Sequence, residues 1–227
     1  ELDLDRLAHT ETVFALSNGH IGLRGNLDEG EPFGLPGTYL NGFYETRPLP
    51  YAEAAYGNPE DGQTVVDVTN GKIIRLLVDD EPFDVRYGRL LAHERLLDLR
   101  DGVLRRSVRW ISPAGAGIRL ESTRLVSLTQ RAVAAILYQI EPLAQPVRVV
   151  VQSELVANEP GSQQEPDPRA AVTLDAPLES VEFHHHDARV ALVHATRQSK
   201  LLMAAGIDHV IEGPTDTQLQ SESAPDL

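Results

Sequence analysis

Seven residues carry the side chains best suited to chemistry: Asn18, His20, Arg24, Asn41, Tyr44, Glu45 and Tyr56. The first six lie in two runs, 14–26 and 37–45, where apolar residues alternate with glycines and with amide, imidazole, guanidinium and carboxylate groups. A purely structural strand favours Thr or Val at such positions. Glycines at 19, 22, 25, 37 and 42 permit tight turns and close backbone approach. The set suits a polar-ligand site or a domain interface. The plain alternative is a group of glycine-broken strands whose polar side chains are satisfied locally.

Other chemistries are weaker. In His184-His185-His186, only His184 and His186 share a strand face, and a structural metal site wants about four ligands. No metal site is therefore expected. Paired carboxylates are the tools of glycosidic chemistry. Asp79-Asp80-Glu81 reads as a solvated turn, however, and Glu45 and Glu53 have no partner assignable from spacing. His20 could serve as a base, but a glycine-flanked histidine is more often structural. The run 20–25 lacks the Gly-Lys-Ser/Thr ending of a phosphate loop, leaving Arg24 as an anion or interface residue. Tyr39, Asn41, Phe43, Tyr44, Tyr51 and Tyr56 supply the aromatic faces and amide that sugars favour. The single tryptophan, Trp110, adjoins a turn.

The elements that must position these residues read as strands. Runs 64–68, 72–78 and 82–87 are β-rich, and 90–99 and 103–111 flank Arg100-Asp101-Gly102, a strong hairpin signal. Next comes 118–128, followed by 132–140, whose two faces are both apolar. That pattern predicts a strand in the middle of a sheet covered on both sides, with Val147, Val149 and Val151 as its one-faced partner. Segments 181–183, 189–196 and 200–211 follow. Residues 45–62 are predicted as an irregular loop and 158–168 as an excursion between strands. No long helix is expected. Many short strands point to one large antiparallel β-sandwich over residues 1–227.

Composition narrows the function. A net charge of −14 disfavours nucleic acid and anionic membrane surfaces, which need concentrated Lys and Arg. The charge is uneven: residues 159–227 hold 12 acidic and 4 basic side chains, against 22 and 16 before them. Without cysteine there can be no disulfide or thiolate site. No apolar run approaches the roughly 20 residues that span a bilayer, and no secretory signal is read in this stretch. A cytoplasmic location is the expectation.

The runs 14–26 and 37–45 resemble the start of glycoside hydrolase family 65, the maltose, trehalose and kojibiose phosphorylases and their hydrolytic relatives. Glu53-Ala-Ala-Tyr-Gly57, Gln63-Thr-Val-Val-Asp67, 97–104, 110–115 and 121–127 follow in the family's order, so the resemblance runs from about residue 10 to about residue 155. It implies a β-supersandwich of the galactose mutarotase type, packed in the parent enzymes on an (α/α)6 barrel that is absent here and holds the catalytic residues. The implied parent reaction is inverting phosphorolysis of an α-linked glucose disaccharide to glucose and β-glucose 1-phosphate, or hydrolysis. Inorganic phosphate is then the co-substrate, no other cofactor is needed, and no catalytic residue falls on this chain. The implied partners are the missing barrel and the parent's disaccharide. Family members are often homodimers, and self-association of this chain is left open. Two alternatives stand beside this reading: a free-standing carbohydrate-binding or interaction module, and a small mutarotase-like enzyme.

Overall fold

The structure is a computed structural model that describes residues 2–30, 32, 35–48, 57, 59–159, 174 and 176–222. In chain order its elements begin with α1 (Leu7–Val13), β1 (Leu16–Ser17), β2 (Ile21–Leu23), β3 (Thr38–Leu40), β4 (Tyr44–Pro48) and β5 (Asp61–Val65). They continue with β6 (Asn70–Val78), β7 (Glu81–Pro82), β8 (Arg89–Asp98), β9 (Val103–Ile111) and β10 (Gly117–Val126). The last are β11 (Ala134–Pro142), β12 (Val149–Val156), β13 (Leu178–His186), β14 (Arg189–Thr196) and β15 (Leu202–Ile207). The fold is all-β, and the strand pairs whose register is resolved are antiparallel.

Within the chain, contacts group the residues into two compact units. The first comprises residues 1–41 and 72–154, the second 42–71 and 155–227. Unit 1 is built on the four-stranded sheet β11-β10-β9-β8. Its β8–β9 hairpin forms at Arg100-Asp101-Gly102 as the sequence predicts, with Asp98 opposite Val103. The Asp98 carboxylate accepts the backbone N–H groups of Arg100 and Asp101, and Gly102 takes a φ of 69°. Leu104, Val108 and Trp110 on β9 alternate inward with Ile118, Leu120 and Val126 on β10, and all are buried. Phe83 meets Trp110 edge-on at 5.3 Å, and Leu7 of α1 joins the same cluster. Trp110 is fully buried, so it offers no face to a ligand.

The structure departs from expectation at four points. β11 is an outer strand of its sheet, not a central one. Its inward residues 136, 138 and 140 are half-buried, whereas Leu137 on the other face is 58% exposed. Two apolar faces show what a strand can bury, not what covers it. Second, β12 pairs with β6 rather than with β11, and Val149, Val150 and Val151 are exposed. Third, the strand expected at 82–87 shrinks to Glu81–Pro82, because 84–87 closes into a turn with Tyr87 N–H donating to Asp84 O. Fourth, the predicted loop 45–62 is narrower. β4 and β5 pair from Tyr44↔Val65 to Pro48↔Asp61, which makes both ends of that stretch strand.

In unit 2, β13-β14-β15 form a three-stranded sheet and β4-β5 a hairpin. Buried Leu178, Met203, His194 and Thr196 mark its core. Most of the predicted excursion at 158–168 lies outside the described residues. Its first member, Asn158, brackets Leu178 with hydrogen bonds to both its N–H and its carbonyl.

Candidate functional site

Three of the sequence candidates meet at one end of the β1-β2-β3 sheet in unit 1. Asn18 Oδ1 accepts the backbone N–H groups of His20 and Ile21 at 2.9 and 2.8 Å, closing the β1–β2 turn. Its Nδ2 donates to the carbonyls of Ser127 and Arg131, tying that turn to the chain after β10. Asn41 donates through Nδ2 to Gly19 O and through its backbone N–H to His20 O. His20 is thereby held by its backbone, beside the two amides. All of these bonds hold turns closed.

Arg24 lies apart from them. Its guanidinium donates to Thr12 Oγ1 at 2.9 Å and Ala8 O at 2.8 Å and stands 3.7 Å from the buried Glu11 carboxylate. It fastens α1 to β2. Gly25 completes that contact: its N–H donates to Glu11 O, and a Cβ there would lie 2.8 Å from Phe14 O.

Tyr44 and Glu45 belong to unit 2, where they hold the turn between β14 and β15. Ser199 Oγ donates to Tyr44 O at 2.6 Å. Buried Glu45 accepts the N–H groups of Thr46, Gln198 and Ser199 at 2.7–2.9 Å. Burial opposes its ionisation, but these donors outweigh burial and hold its pKa below the ordinary carboxylate range. Tyr56, Tyr51 and Glu53 lie outside the described residues. Phe43 is buried. His184 is exposed and bonds to Glu182, and among the described residues no group of three or more His, Cys, Asp or Glu converges as for a metal. Asp79 and Asp80 make the β6–β7 turn with positive φ and hold Arg148.

The main polar feature of unit 1 escaped the sequence reading. Arg95, Arg106, Ser122 and Tyr138 stand side by side across β8, β9, β10 and β11. Asp28 and Glu29, from the segment after β2, lie against that row. Arg106 donates two N–H groups to Glu29, at 2.5 and 2.8 Å, and one to Asp28 at 3.2 Å. Asp28 also accepts from Arg124 at 2.6 Å and from Ser122 at 2.7 Å. Both carboxylates and both guanidinium groups are at most 3% exposed.

Burial raises the cost of ionising Asp28, but Arg124, Arg106 and the Ser122 hydroxyl more than offset it, leaving its pKa lowered. Arg106 Nε donates to His93 Nε2 at 3.2 Å, so that nitrogen must be unprotonated. Burial first, then the Arg106 and Arg95 charges, push the His93 pKa down to about 3. Burial and the two carboxylates raise the Tyr138 pKa, and its hydroxyl has no hydrogen-bond partner among the described residues. Every carboxylate in this cluster is committed to a guanidinium, which suits holding a loop on a sheet and not proton transfer.

The profile of the glycosyl hydrolase family 65 N-terminal domain matches residues 1–226. An uncharacterized glycosyl hydrolase of Mycobacterium tuberculosis (strain ATCC 25618 / H37Rv) is 61% identical over all of this chain and 29% of that protein. The α,α-trehalose phosphorylase of Thermoanaerobacter brockii is 33% identical over 93% of this chain and 28% of its own length. A solved structure of a candidate kojibiose phosphorylase from the human microbiome shares the fold, with a TM-score of 0.76 and 22% identity over 91% of this chain and 26% of that one. The chain thus spans under a third of the length of the relatives it matches. From end to end, it belongs to glycosyl hydrolase family 65 as an N-terminal domain of that family.

Proposed function

We propose that the chain is the non-catalytic N-terminal domain of a longer enzyme that cleaves an α-linked glucose disaccharide. Phosphorolysis with inversion, to glucose and β-glucose 1-phosphate, is the favoured reaction, with inorganic phosphate as co-substrate. Hydrolysis is the variant in which water takes the place of phosphate. The observation that carries this reading is the match of an N-terminal-domain profile to residues 1–226, while the relatives run more than three times as long. Trehalose, kojibiose and maltose phosphorylases among those relatives supply the substrate class.

The chemistry points the same way. Inverting cleavage needs a carboxylic acid free to protonate the glycosidic oxygen, facing a nucleophile on the opposite side of the ring. Asp28, Glu29 and Glu11 face arginines, and Glu45 accepts backbone N–H groups. None of these four stands ready as an acid. This supports the reading in which the acid and the phosphate site belong to the remainder of the enzyme, with which this domain packs.

The test is an assay of the 227-residue chain with maltose, trehalose and kojibiose, each with and without phosphate. No release of glucose is expected, whereas the same assay on a full-length relative gives glucose 1-phosphate. Turnover by the chain alone would overturn this division of labour.

A further inference from the structure

Tyr87 has an unusual setting in unit 1. Its backbone is pinned on every side: its N–H donates to Asp84 O, and its carbonyl accepts Trp110 Nε1–H at 2.6 Å from the core. Gly88 follows with a φ of 70°, and a Cβ there would lie 2.4 Å from Ile111 O. Asp84 holds Arg86 through its backbone N–H and its guanidinium, and the guanidinium lies 5.6 Å from the Tyr87 ring centroid. Yet the tyrosine itself is 60% exposed. A rigid turn thus holds a large aromatic ring out to solvent.

Tyr87 lines an open groove of about 180 Å³, together with Leu77, Pro82, Val150, Arg75 and Gln152. The polar groups there are fixed in advance. Arg75 Nε and Gln152 Nε2 both donate to Glu154 Oε1, at 2.6 and 3.0 Å.

We infer that this groove is a subsite for one neutral pyranose ring, with Tyr87 as its platform. The apolar C–H face of a sugar stacks on an aromatic ring, while its hydroxyls need donors and acceptors on the flank. Arg75 Nη1 also donates to Glu29 O at 3.4 Å, which leaves Nη2 and the Gln152 carbonyl oxygen for that purpose among the described residues. Charge selects against anions: Glu154 neutralises Arg75, and the chain as a whole carries −14. Size selects one ring, because pockets that enclose a drug-sized ligand run to about 300–1,000 Å³. The groove is distinct from the aromatic cluster that the sequence suggested, and the proposal rests on the preceding reading only for the choice of glucosides as probes.

Calorimetric titration of the chain with glucose, maltose, trehalose and kojibiose, and with inorganic phosphate, tests it. Saturable binding of at least one sugar, and none of phosphate, is expected. Tyr87→Ala weakens that binding about tenfold or more, and Tyr87→Phe, which keeps the ring, stays within about threefold. The ring is exposed, so both variants retain the parent's unfolding midpoint. The subsite is refuted if no sugar binds saturably, if Tyr87→Ala binds as tightly as the parent, or if phosphate displaces the sugar. Disaccharide turnover by the chain would count against the domain reading instead, and the two tyrosine variants would still decide the groove.

Discussion

Arg106 occupies a position where the alternation of β9 calls for an apolar side chain, between Leu104 and Val108. It is tolerated because Glu29, Asp28 and His93 take up its donors. Breaking one partner of such a buried pair costs about 3–5 kcal/mol, since the other charge is left unpaired. Asp28→Asn is therefore expected to lower unfolding free energy by that order in urea denaturation at neutral pH. The sign with pH follows from the lowered native pKa of Asp28. Its contribution is complete above the ordinary carboxylate value near 4 and fades as pH falls through the native value. His93 acts over a higher window. With a native pKa of about 3, it stays neutral in the folded chain while the unfolded chain binds a proton below about 6.5. Stability should therefore fall on acidification through that window, this one group contributing up to about 1.4 kcal/mol per pH unit. His93→Gln keeps an acceptor for Arg106 and should flatten the slope. An unchanged slope would show that His93 does not set it.

At the scale of elements, local sequence and tertiary context divide the work unevenly. The β8–β9 hairpin was legible because Asp-Gly between apolar runs specifies its own turn. The 84–88 turn was not, since β-rich residues there gave way to a turn fastened by Trp110 and by Asp84. Gly88 shows what that fastening demands. Gly88→Ala combines an unfavourable φ with a contact to Ile111 O, and a loss of at least about 1–2 kcal/mol is expected from the backbone penalty alone. Thermal unfolding measures it, and an unchanged midpoint would contradict the geometry. The candidate site was partly legible too. Asn18, His20 and Asn41 are brought together, but to lock turns. Arg24 went to the helix, and Glu45 to a turn more than 150 residues away in sequence.

For the whole molecule, the question is which surfaces the fold leaves for use. β11 and β12 carry exposed Leu137, Val149, Val150 and Val151 on outer strands. Within this chain they bury little, so Leu137→Ser should change unfolding free energy by no more than about 0.5 kcal/mol. A larger loss in denaturant titration would mean that the side chain is covered in solution. The polar chemistry, in contrast, is turned inward. A buried row of arginines and carboxylates joins a loop to a sheet, and the exposed ring of Tyr87 is what unit 1 presents beside its groove.

By itself the sequence determined the all-β class, most strand runs, the absence of thiol chemistry and the kinship with family 65, because alternation, turn residues and ordered motifs are local properties. Which carboxylates meet Arg106 and Arg124, which apolar strand stays at an edge and which tyrosine stands out to solvent were decided only in three dimensions. Those outcomes depend on pairing between segments up to about a hundred residues apart, which no local pattern encodes.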